Sequence, residues 1–115
     1  GDYSKFLNTI AFSTYMLLFT YEFTHDNLHL DYDNNNVSDL LEEAKIGLDW
    51  LLRANYKNKL FVTQVQDEKD KSVGWRMPSE DPVGFDRPGF LGIGKNLIGI
   101  YTATLALGSR IWDKE

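Results

Sequence analysis

The sequence predicts an all-α fold of about three helices, with a short β-hairpin and long loops between them. Three observations carry that prediction. Two long segments are apolar on nearly every side, a third is amphipathic at helical spacing, and no internal repeat is present. Helices apolar all round are stable only inside a larger body. The core is therefore oversupplied for the number of elements, and the architecture reads as helical and caught before completion.

The first helix is expected from about Ser4 to about Phe23, with Phe6, Leu7, Ile10, Ala11, Tyr15, Leu18 and Phe19 at helical spacing. Asp2 stands on the stretch that opens it, a carboxylate held by a buried post yet reachable from a cleft. Residues Thr24 to Asn36 are rich in Asn and Asp, which bond their own backbone and favour turns, so a loop follows. In the second helix Asp39 and Glu42 have the D-x-x-E spacing of a capping box, with Ser38 as a competing cap. Val37, Leu40, Leu41, Ala44, Leu48, Leu51 and Leu52 form its apolar stripe, and Glu42 with Lys45 and Asp49 with Arg53 are expected to pair on the wet side. Leu60 to Val65 then reads as a short strand bounded by polar turns. From Gln66 to Gly94 the chain carries all three prolines and reads as one irregular excursion, the kind of loop that lines binding sites. The third helix is expected from about Asn96 to about Trp112, where Gly99 and Gly108 imply close packing by neighbours.

Composition bounds the function. With 115 residues, 43% hydrophobic, the chain can build one modest core and not two. A formal net charge of −5, with Lys and Arg scattered, argues against nucleic acid as a partner. There are no cysteines, which removes thiolate metal sites and thiol nucleophiles. The longest apolar run, Tyr15 to Phe19, is far short of the ~20 residues of a membrane span, so no membrane partner is expected. The opening Gly1-Asp2-Tyr3, without an initiator Met, reads as a piece cut from something longer.

The segments GDYSKF, VSDLLEEAKIGLDWLL, LFVTQVQD, GWRMPSED, DRPGF and TATLALGSRIW occur in an order that resembles the N-terminal part of the catalytic domain of glycoside hydrolase family 9. The resemblance covers nearly the whole chain. It implies that residues 1–115 are an incomplete part of one (α/α)6 barrel, whose parent cleaves β-1,4-glucan by inversion. The family's paired aspartates lie in a D-A-G-D or D-A-S-D type motif, of which this chain begins at the last two letters. Asp2 thus matches the general base that activates water, and the first aspartate would precede Gly1. The family's general acid, a glutamate, has no match in the chain. Inversion needs an acid and a base about 6.5–9.5 Å apart, so these residues alone are expected to be inactive. Trp75 matches a cleft tryptophan, although Ser72-Val73-Gly74 stands where many relatives have a His. Tyr3 is a further candidate for the cleft wall, and Arg76 and Arg87 match positions that are often basic, as loop anchors or sugar contacts. The implied partners are a polysaccharide substrate and the remainder of the catalytic domain, the implied location is extracellular, and no cofactor or metal is called for.

Other readings compete. Read without the family, Asp2 is a helix cap or a solvated acid, and Trp75 is a loop aromatic filling an apolar gap. Asp31, Asp33, Asn35, Asp39 and Glu42 fit positions 1, 3, 5, 9 and 12 of an EF-hand loop, with Asn36 where Gly is expected and Ser38 where an apolar residue is expected. The alternative function is accordingly a non-catalytic calcium-binding or helical interaction module. His25 and His29 have the four-residue spacing of a zinc motif, but in a loop and without an evident third ligand. Asn36-Val37-Ser38 is a formal glycosylation sequon.

Overall fold

The computed structural model describes residues 4–24, 27–82 and 86–113. Three long helices pack together: α1 (Leu7–Thr24), α2 (Asp39–Ala54) and, at the end of the chain, a helix at Lys95–Trp112. The first of them lies at the centre and packs extensively on both others, which touch each other much less. Leu7, Ala11, Thr14 and Leu18 form its buried line, spaced to fall on one face. Leu7 and Ala11 meet Leu51, Ala54 and Tyr101 in one cluster, while Leu18 meets Leu41, Ala44, Leu107 and Ile111 in another. This pairing of ends makes α2 antiparallel to α1 and the C-terminal helix parallel to it.

Small residues set how closely the helices approach. A Cβ on Gly47 would lie 1.9 Å from Thr14 Oγ1, so α2 meets α1 with no room for a methyl. At Gly108 a Cβ would lie 3.0 Å from the Leu48 methyls, so the close packing expected there is found. Gly99 faces open space instead. The buried Thr104 hydroxyl shares its one proton between the Ala11 carbonyl at 3.0 Å and the Ile100 carbonyl at 2.8 Å, tying the C-terminal helix to α1.

The all-α expectation needs correction, because the helices share the molecule with a four-stranded antiparallel sheet. Its strands are β1 (Lys5–Phe6), β2 (Asn55–Tyr56), β3 (Leu60–Val65) and β4 (Gly89–Gly92). The predicted strand is the hub to which the other three bond. Lys57 and Asn58 take positive φ between β2 and β3, which turns a tight hairpin. The excursion is accordingly shorter than expected, since Gly89–Gly92 returns to pair with Phe61–Val65. Between the two strands lie α3 (Lys69–Val73) and a 3-10 turn at Pro78–Glu80; the C-terminal helix is α4. One side of β3 meets the core, where the Phe61 and Tyr101 rings stand 4.7 Å apart.

Two expectations at α2 also change. The helix takes Ser38, not Asp39, as its N-cap, with extended backbone and no side-chain cap bond. The carboxylate of Asp39 accepts the Tyr32 N–H instead, and Glu42 accepts from the Asn35 amide at 2.8 Å. With Glu42 so engaged, Lys45 pairs with Asp49 at 2.8 Å.

Candidate functional site

The excursion from Gln66 to Pro88 hangs from the β3–β4 hairpin, and the Gln66 N–H donates to the Pro88 carbonyl to close its neck. Short α3 starts where Asp67 accepts the Lys69 N–H at 2.8 Å, a local bond typical of Asx turns. It ends at Gly74, whose φ of 76° lies in the left-handed region that favours glycine. Among the described residues of this segment, Val73, Trp75 and Met77 all stand exposed.

Four charged side chains hold it together. Asp70 Oδ1 accepts from Arg76 Nη2 at 2.7 Å and from Arg87 Nη2 at 2.9 Å. Asp81 accepts from Arg76 Nε at 2.9 Å and from Arg87 Nη2 at 2.7 Å. Two carboxylates and two guanidiniums thus alternate around a ring of zero formal charge. The Asp70 and Arg76 side chains are only 2% and 6% exposed. Buried charges are tolerable when each is paired and hydrogen-bonded, and the fork of Arg suits such bonds. The Arg87 guanidinium, then the Asp67 N–H and the Arg76 guanidinium, hold the Asp70 carboxyl well below the usual carboxylate range against the opposing effect of burial. Arg87 is raised in turn by its bonds to Asp70 and Asp81.

Arg76 has a further task. Its Nη1 donates to the Gly74 carbonyl at 2.9 Å, spanning the residue between them. That residue is Trp75, which is 78% exposed. The indole therefore fills no apolar gap and is offered to solvent from a clamped turn. Arg76 faces the two carboxylates of the ring. Asp70 and Asp81, the other half of the ring, are missing from the sequence-based site.

Asp2 and Tyr3 lie outside the described residues, and so does His25. What is described is their approach: Lys5 pairs with Val65, immediately before the excursion begins. His29 is exposed and joins no metal-ligating group among the described residues. In the Asn-rich loop, Asp31, Asp33 and Asp39 bring carboxylate oxygens within 4.8 Å of one another. Those oxygens already accept bonds from the loop: Asp31 from the Asn35 and Asn36 N–H groups, each at 3.0 Å, and Asp33 from the Asn35 amide at 3.0 Å. Asn36 has a φ of 68°, so it makes the turn for which an EF-hand uses Gly. The observed effect is to fasten the loop to the first turn of α2.

The helical core thus carries an ion-tied loop that holds one flat aromatic outward. The family model described as Glycosyl hydrolase family 9 matches residues 1–115, the whole chain, and the chain belongs to that family. The class of activity is therefore glycoside hydrolysis, with β-glucans as the family's substrates. No curated protein and no solved structure gives a significant match. No helix among the described residues is long and apolar enough to cross a membrane.

Proposed function

We propose that residues 1–115 form the N-terminal part of an (α/α)6 catalytic domain that hydrolyses β-1,4-glucan by inversion outside the cell. Asp2 is the general base that draws a proton from the attacking water, Trp75 is the platform on which a glucose ring lies, and Tyr3 adds to the wall beside the base. The general acid comes from the remainder of the domain. The observation that carries this reading is the pairing of Lys5 with Val65. It makes neighbours of the two strands that lead to Asp2 and to Trp75. An indole with most of its surface in water suits the apolar face of a sugar, because stacking there removes apolar area from both partners.

The test uses the complete catalytic domain. Asp2→Asn should lower kcat by ~10²–10⁴-fold, the usual contribution of a general base, with KM nearly unchanged. NMR of the first product formed should show inverted anomeric configuration. Full turnover in the Asp2→Asn enzyme, or a retained anomer, overturns the proposal. The 115-residue chain alone should not hydrolyse glucan, because one carboxylate cannot serve as both base and acid.

A further inference from the structure

We propose that Arg76 is a positioning residue: through the ring it forms with Asp70, Asp81 and Arg87, it holds the Trp75 indole in a single outward orientation. Three observations support this. The first is topological, since every member of the ring lies within the excursion and α3 packs extensively on none of the long helices. The second is the bond from Arg76 Nη1 to the Gly74 carbonyl, which fixes the backbone on both sides of Trp75. The third is burial: Arg76 is 7% exposed beside an indole that is 78% exposed. Adjacent residues thus point in opposite directions, one into the ring and the other to solvent.

A flexible loop that ordered its aromatic only on meeting a sugar would lose side-chain and backbone freedom at that moment. An ionic ring made within the loop meets that cost during folding, so the platform is ready before ligand arrives. The use of such a platform for glucan rests on the function proposed above. The ring's hold on the indole does not, and it is measured without any sugar.

The test is fluorine NMR of the 115-residue chain labelled with fluorotryptophan, which has three resonances from Trp50, Trp75 and Trp112. Trp75→Phe assigns the relevant line. In Arg76→Gln and in Asp81→Asn, the Trp75 line should shift toward the position of the free amino acid and narrow, while the Trp50 and Trp112 lines stay in place. Arg76→Lys keeps the charge but loses the fork, and should give an intermediate position. A Trp75 line unchanged in both Arg76→Gln and Asp81→Asn overturns the proposal. Collapse of all three lines in both variants also overturns it, because the ring would then support the whole fold and not the indole in particular. A Trp75→Ala enzyme that binds cello-oligosaccharides normally would sink the sugar platform and leave these spectra unaffected.

Discussion

Gly47 is a residue at which α1 and α2 approach too closely for a side chain, and its role is one of space. A methyl there would overlap Thr14 Oγ1, with Thr14 Cβ at 3.0 Å behind it. Alanine is worth up to ~1 kcal/mol more than glycine inside a helix, whereas overpacking costs ~1–3 kcal/mol. With so short an approach the clash should win. Gly47→Ala is expected to destabilise the chain by about 1–2 kcal/mol in urea unfolding, and adding Thr14→Ala should recover part of the loss. A more stable Gly47→Ala chain would mean that the helices slide apart at little cost. At Thr104, Val keeps the shape but removes the donor to the Ala11 carbonyl. The expected cost is ~1 kcal/mol, the net worth of an ordinary hydrogen bond, read from the same unfolding curves. Neither contact is visible in the chain itself, where Thr14 and Thr104 look like polar fillers. Trp75 could be singled out from sequence because its segment resembles the one that carries the family's cleft tryptophan, but its exposure could not. Asp70 and Asp81 could not be singled out, since an isolated acid in a polar loop resembles a solvated one.

Among the elements, the excursion depends on charge and the helices on apolar burial, so the two should respond differently to pH. The Asp70 carboxyl titrates far below the ~3.9 of an unfolded aspartate. A depressed folded value means that its contribution is fully present above the unfolded value and drains away as pH falls toward the folded one. The Trp75 fluorine line should therefore hold its position from pH 8 down to about 5 and move only below about 4. Release near neutrality would contradict the ring. The long helices were legible because their periodicity and breakers are local signals. Residues Leu60 to Val65 were legible for the same reason. Strands β1, β2 and β4 were not, because Lys5–Phe6, Asn55–Tyr56 and Gly89–Gly92 are too short to alternate and exist only through their bonds to β3. Likewise Ser38 replaces Asp39 as the cap because Asp39 is drawn to the Tyr32 N–H, a partner seven positions away.

Taken whole, the molecule leaves a broad apolar surface in water. Phe12, Met16, Phe19 and Phe23 all stand exposed on α1, the helix at the centre of the packing, and Phe12 and Phe23 are 58% and 73% exposed. Phe19 stacks on Phe23 with ring centres 5.6 Å apart. Contiguous apolar surface of this kind favours association, as expected if further helices complete a barrel. Sedimentation should show the 115-residue chain self-associating with concentration, and Phe12→Lys with Phe19→Lys should shift it toward monomer; a wild-type chain that stays monomeric with a sharp cooperative melt would count against an incomplete core. By itself the sequence determined the three long helices, the strand at Leu60–Val65, the surplus of apolar surface and the family. Each of those is written in local order or in composition. Only the tertiary structure decided that β3 gathers three partners, that Gly47 admits α1, and that Asp70, Arg76, Asp81 and Arg87 close into one ring. Those depend on which distant groups meet when water is excluded, and the distances and partners that set such energies do not exist until the chain has folded.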